Sequence, residues 1–176
     1  MSIPRELSVV NGRLYQRPVR ELEALRTEPV RYRDVLVEDG EVTLADVSGR
    51  LIDLELEVEP VEGKEIYRKF AMRFAQNETF HTGVSFRPYE STVKIDRKFS
   101  GSRRAIIHQR RAEVSHDSGR LKLRLILDRF SAEIFVNDGE KVLTATIYTD
   151  VAADGISFVC SGAAKINVTK YTLKEM

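Results

Sequence analysis

The stretch Leu121-Lys122-Leu123-Arg124-Leu125-Ile126-Leu127-Asp128-Arg129-Phe130-Ser131-Ala132-Glu133-Ile134-Phe135-Val136 decides the fold. Its apolar residues repeat with a period of two, so each run is a strand with one face turned to a core. Leu121, Leu123, Leu125 and Leu127 put odd positions inward, whereas Ala132, Ile134 and Val136 put even positions inward. An uninterrupted strand cannot change parity, so a turn must lie within Asp128–Ser131, where both end residues carry side chains able to bond nearby backbone. The reading is a hairpin. Leu125→Ala is then a core truncation, and Lys122→Ala and Arg124→Ala are nearly silent changes on a wet face.

The same period extends outward. Ile52-Asp53-Leu54-Glu55-Leu56-Glu57-Val58 alternates apolar with acidic residues, as a half-buried strand does. Asn11-Gly12, Asp39-Gly40 and Asp138-Gly139 each separate two strand-like runs and read as hairpin turns. Ser48-Gly49, Glu62-Gly63, Ser118-Gly119, Asp154-Gly155 and Ser161-Gly162 punctuate the rest. Short strands with closely spaced turns describe an all-β antiparallel sandwich or jelly roll. One stretch, Pro18 to Arg26, carries Pro near its start and apolar Val19, Leu22 and Leu25 at helical spacing. The expected organisation is a hairpin and linker helix over 1–28, then a sandwich over 29–176.

Composition excludes several function classes. Lys and Arg number 28 against 27 Asp and Glu, so no global field steers the chain to nucleic acid or an anionic membrane. The basic run Arg103-Arg104, His108, Arg110-Arg111 is broken by Ile106-Ile107 and followed by Glu113 and Asp117, and reads as a solvated strand-and-loop face. No apolar run is long enough for a transmembrane helix, and Met1 to Leu7 lacks the apolar core of a signal peptide. Cys160 is the lone cysteine, which fits a buried thiol in a reducing, cytoplasmic setting.

Chemistry-bearing patterns are sparse. His81, His108 and His116 lack metal-ligand spacing, no phosphate loop occurs, and Ser161-Gly162 is not part of a nucleophile elbow, so no cofactor and no metal is expected. Sugar cleavage needs two carboxyl groups roughly 5 to 10 Å apart. Asp96, Asp128, Glu133 and Asp138 are the candidates, yet Asp128 and Asp138 fall at turns and Glu133 on the outward, solvent face of its strand. Trp is absent, and Tyr67, Phe80, Phe86, Phe99, Phe130, Phe135, Tyr148, Phe158 and Tyr171 alternate as core residues do. Tyr89, following Pro88, is the loop aromatic best suited to a sugar contact.

The run from Leu125 to Glu140 resembles the C-terminal sandwich of glycoside hydrolase family 32, whose signature is an aliphatic strand, Asp-Arg-Ser-Ser, Val-Glu-Val-Phe and Asn-x-Gly-Glu. Here Asp128-Arg129-Phe130-Ser131, Ile134-Phe135 and Asn137-Asp138-Gly139-Glu140 stand in those places, with Phe130 for Ser and Ile134 for Val. Thr144 with Ile147-Tyr148, Ile95-Asp96-Arg97 upstream, and Ile3-Pro4-Arg5-Glu6-Leu7 through Gly12-Arg13-Leu14-Tyr15-Gln16 extend the likeness over nearly the whole chain. The resemblance implies a jelly-roll, concanavalin-like sandwich from an invertase, a sucrose-6-phosphate hydrolase or another β-fructofuranosidase. It also implies an N-terminal five-bladed propeller as partner, with the catalytic Asn-Asp-Pro-Asn-Gly, Arg-Asp-Pro and Glu-Cys motifs on that propeller. None of the three occurs here; Arg33-Asp34 is followed by Val35. The expectation is a non-catalytic module acting in stability and at domain or subunit interfaces, with a homodimer as a candidate assembly. A fructan- or sucrose-binding module is the alternative.

Overall fold

A computed structural model describes residues 3–101 and 108–174. The basic pair Arg103-Arg104 and the neighbouring Ile106-Ile107 lie outside the described residues. Strands β1 (Arg5–Val10) and β2 (Arg13–Pro18) form a separate hairpin sheet, turned at Asn11-Gly12. They are followed by β3 (Val30–Val42), β4 (Ile52–Pro60), β5 (Lys69–Gln76), β6 (His81–Arg87), β7 (Thr92–Phe99), β8 (Gln109–Glu113), β9 (Leu121–Asp128), β10 (Ser131–Val136), β11 (Lys141–Thr146) and β12 (Gly155–Thr172). The pairing runs β11-β10-β9-β4-β12-β5-β6-β7-β8, antiparallel throughout, with β3 along the free side of β12.

Strand β12 belongs to two layers. Its first half, Gly155 to Ser161, pairs with β5, and its second half, Ala164 to Thr172, pairs with β4. One layer is therefore β11-β10-β9-β4-β12, and the other β12-β5-β6-β7-β8. The crossover is a bulge at Ser161-Gly162, where Gly162 has φ +95° and the opposing Asp39 has φ +39°. The Asp39 carboxylate accepts from the Gly162 N–H at 2.7 Å and so satisfies a donor that the ladder leaves unpaired. This corrects two expectations together. Asp39-Gly40 is not a hairpin turn, and Ser161-Gly162 does not end a strand, because the same turn chemistry serves a bulge that bends a long strand from sheet to sheet.

The other turns stand as expected. Ser131 pairs with Asp128 across the Arg129-Phe130 turn, and the Asp128 carboxylate accepts from the Arg129 N–H at 2.7 Å. Register aligns Leu54, Leu125, Ile134 and Leu143 across four strands, all facing one core. That core unites this row with Phe70, Met72, Phe74, Val84, Phe86, Ile95 and Phe158 of the second layer. Tyr67, Phe86 and Phe158 are buried as expected, but Phe80, Phe99, Phe130 and Tyr148 are exposed. Phe130 occupies the turn itself, and Tyr148 follows the end of β11, so neither retains the inward phase of its neighbours.

The linker is a 3-10 turn over Arg20–Leu25 rather than a full helix. So short a segment gains little from its own hydrogen bonds and takes its shape from packing. Leu22 and Leu25 rest on Ile126, Phe135 and Leu173, a small second core on the outer face of the first layer.

Candidate functional site

Every residue of β10 after Ser131 is buried, because both faces of the strand are covered. Ala132, Ile134 and Val136 enter the main core; Glu133 and Phe135 point outward and are covered by the N-terminal segment. Glu133, expected on the solvent face, is 3% exposed. Its carboxylate accepts from the Ile3 N–H at 2.5 Å and from Arg5 Nε and Nη2 at 3.2 and 2.7 Å. Arg5 also donates to Gln16 Oε1 at 2.9 Å and Thr144 Oγ1 at 3.0 Å, and lies 5.7 Å from the centre of the Phe135 ring. A carboxylate this deep requires a charge partner with matched hydrogen bonds, and the arginine fork supplies both.

A second anchor lies on β4. Asp53, in the acidic phase of an apparently wet strand, is 1% exposed. It accepts from Arg26 Nε at 2.8 Å and from Arg124 Nε and Nη2 at 2.9 and 2.7 Å. Arg26 also donates to Glu55 at 2.6 Å and lies 4.1 Å from the Tyr171 ring centre. Burial opposes the Arg26 charge, but the bonds to Asp53 and Glu55 outweigh it and raise the guanidinium above its usual range. Arg124 is accordingly no silent surface residue, which corrects the expectation for Arg124→Ala.

The third anchor is the turn after β10. Asn137, at φ +47°, donates to Ser115 O at 2.5 Å and to Glu140 at 3.0 Å. Glu140 accepts from the Ser115 N–H and hydroxyl at 3.1 and 2.8 Å, and these bonds hold its carboxyl below the usual range although burial pushes it up. Gly139, at φ +97°, lies so close beneath β2 that a Cβ there would collide with the Gln16 backbone. Arg17 Nε donates to Asp138 O at 2.9 Å beside it. The motif residues Glu133, Asn137, Gly139 and Glu140 thus fasten the hairpin and the loop before β9 to one strand-turn unit. Their spacing was legible; their partners, over a hundred positions away for Glu133, were not.

The remaining candidates are dispersed. Asp96 accepts from Gln109, Lys94 and the Lys98 N–H at 2.7, 3.1 and 2.9 Å. Burial raises its carboxyl, but those donors prevail and hold it below the usual range. Asp128 bonds its own turn, and Tyr89, 70% exposed on the 3-10 turn Pro88–Glu90, donates to Ile66 O at 3.3 Å. Among the described residues no group of three or more His, Cys, Asp or Glu could hold a metal ion, and no helix is long and apolar enough to cross a membrane.

The structure also reveals a serine-histidine pair that the sequence did not suggest. Ser91 Oγ lies 3.3 Å from His116 Nε2, while His116 Nδ1 accepts from the Gly119 N–H at 3.0 Å. In the neutral ring that acceptor role places the proton on Nε2, which then donates to Ser91. A base for serine needs the opposite tautomer with a carboxylate behind it, so this pair ties two loops together instead.

Comparison with known proteins agrees with this arrangement. Residues 21–175 match the family described as "Glycosyl hydrolases family 32 C terminal". A sucrose-6-phosphate hydrolase of Staphylococcus xylosus is 33% identical over 178 residues, covering 99% of this chain and 34% of the relative. A levanase of Bacillus subtilis is 28% identical over 186 residues, covering 99% of this chain and 27% of the relative. The chain therefore spans about a quarter to a third of the length of these relatives. An exo-inulinase from Aspergillus awamori shares the fold with a TM-score of 0.82 at 20% identity, over 99% of this chain and 36% of that one. A sucrose-6-phosphate hydrolase from Lactobacillus gasseri does so at 0.78 and 22%, over 97% and 33%. With residues 21–175 matched and the sandwich in place, the chain belongs to the C-terminal domain family of the family 32 glycosyl hydrolases.

Proposed function

We propose that this chain is the non-catalytic sandwich of a β-fructofuranosidase, acting on stability and at the interface with a preceding catalytic propeller. The observation that carries the reading is the threefold fastening of the N-terminal segment to the sandwich at Glu133, Asp53 and Gly139. Fastened there, the hairpin leaves Leu7, Val9, Val10 and Leu14 exposed, an apolar set on a free-standing two-stranded sheet that suits docking against another domain. Residues 1–28 then form the junction and 29–176 the sandwich. Relatives named as sucrose-6-phosphate hydrolase and levanase support sucrose 6-phosphate or a fructan as the parent enzyme's substrate. A cytoplasmic setting accompanies the sucrose-6-phosphate reading. The carboxylates of Asp96, Asp128 and Glu133 are each engaged in holding local structure, which supports the absence of chemistry in this part.

The test is an assay of the chain alone on sucrose, sucrose 6-phosphate, raffinose and inulin, with light scattering for self-association. No turnover above background is expected. Turnover that vanishes in Asp128→Asn while the fold persists would overturn the reading. Saturable binding of fructan in calorimetry, lost in Tyr89→Ala, would favour a carbohydrate-binding module instead.

A further inference from the structure

The outer face of the second layer carries a cluster that the junction does not use. Register places Ala71 on β5, Ser85 on β6, Lys94 on β7 and Arg111 on β8 in one row across the sheet. Their neighbours Val84, Phe86, Val93 and Ile95 enter the core, so this row faces outward. Lys69 and Arg87 flank the Phe70↔Phe86 pair on the same face, and Arg73 lies on the other side of Ser85, opposite Gly83. Ser85 is thus ringed by long cationic side chains and is only 7% exposed. Among the described residues its hydroxyl has no hydrogen-bond partner, so its proton is free to be donated to a ligand.

The charges around it do not cancel. Arg73 pairs with Glu41 at 2.8 Å, Arg87 with Glu90 at 2.7 Å, and Lys94 with Asp96 at 3.1 Å. Among the described residues, Lys69 and Arg111 have no such partner, and Glu113, outward on β8 beside Arg111, offsets only one of them, so the face keeps a surplus cation. We propose that this face is a binding site for a phosphate-type oxyanion, held by Lys69 and Lys94 with the Ser85 hydroxyl donating to it. Such a ligand would accept from the free hydroxyl and neutralise the surplus cation together, which a neutral sugar cannot do. Burial first, and then repulsion from Lys94, Arg87 and Arg73, depresses the Lys69 amine below its ordinary value, and a bound anion would reverse that.

Inorganic phosphate is the first probe, titrated into the intact chain at constant ionic strength while NMR follows the Ser85 amide and Lys69 Nζ. Saturable shifts confined to β5, β6 and β7 are expected, together with a rise in the Lys69 pKa on binding. Lys69→Gln should weaken binding about tenfold, in line with the loss of one charge-assisted hydrogen bond, and Ser85→Ala by a smaller factor. Lys165→Ala, exposed on β12 away from this face, should leave affinity unchanged. Glucose 6-phosphate and glucose form the second and third arms. Tighter binding of the ester identifies a phosphosugar as the source, and equal binding identifies free phosphate. Shifts that never saturate, affinity untouched by Lys69→Gln, or glucose binding as well as its phosphate would overturn the proposal.

Discussion

Replacing Glu133 with Gln tests whether the N-terminal segment is fastened by charge or merely lies against the sheet. The substitution keeps the side-chain volume and one acceptor oxygen. Both guanidinium bonds end on Oε2 and the Ile3 bond on Oε1, so the loss falls on the ion pair with Arg5 and on either the two guanidinium bonds or the Ile3 bond. Removing one partner from a fully buried pair costs about 3–5 kcal/mol. Glu133 is 4% exposed in its side chain but Arg5 is 20% exposed, so water relieves part of the stranded arginine charge. A cost of about 2–3 kcal/mol follows, near the range for losing hydrogen bonds to a charged group. That cost has a ceiling. If the segment detaches while the sandwich stays folded, global stability falls only by the free energy of docking, and any further loss appears as local opening. Urea unfolding reports the first quantity, and hydrogen exchange at Leu7 to Gln16 the second. Arg5→Met combined with Glu133→Gln should cost much less than the two single changes added together. Additive single effects, or a Glu133→Gln midpoint shift equivalent to less than about 0.5 kcal/mol with unchanged exchange, would refute fastening by charge.

Leu125→Ala, at the centre of the aligned core row, should cost about 2–5 kcal/mol, while Lys122→Ala should stay within about 0.5 kcal/mol, both read from urea midpoints. Arg124→Ala should fall closer to the first than to the second, since it removes one of the two arginines that pair with the buried Asp53. The Cys160 thiol is 3% exposed, and burial pushes its pKa up to about 12; it should react with a thiol reagent at neutral pH only as fast as the protein opens, and at once in denaturant. His81 is depressed below its ordinary 6.5, first by burial and then by Arg73, so the unfolded chain takes up its proton first. Stability should therefore fall as pH drops from about 6.5 towards the folded value, and His81→Phe should flatten that slope in a pH series of denaturant curves.

Strand faces were legible because alternation is a local property: Leu125 and Ile134 point inward whatever the rest of the molecule does. What lies over the opposite face is not local. Asp53 and Glu133 have the phase of solvent-facing acids, and only the return of residues 3–26 across the sheet buries them. The same limit explains the Asp39-Gly40 reading. A dipeptide that favours positive φ serves equally in a hairpin or a bulge, and the choice depends on where Gly162 lies across the pair. Lys69, Ser85 and Lys94 come from three strands, so their cluster had no signature in any single window of sequence.

The strand shared by the two layers sets the order in which the molecule can be made. Residues 155–172 pair with β3, β4 and β5, whose partner residues are synthesised 79 (Gly155↔Gln76) to 140 (Lys170↔Val30) positions earlier. Until that segment leaves the ribosome, β4 and β5 each lack a neighbour, and β3 has none among its described pairings. A nascent chain released before Gly155 would present these strands as open edges, ready to pair with other copies. Arrested nascent chains should therefore stay protease-sensitive through residue 150 and become resistant abruptly, rather than in steps, once β12 has cleared the exit tunnel.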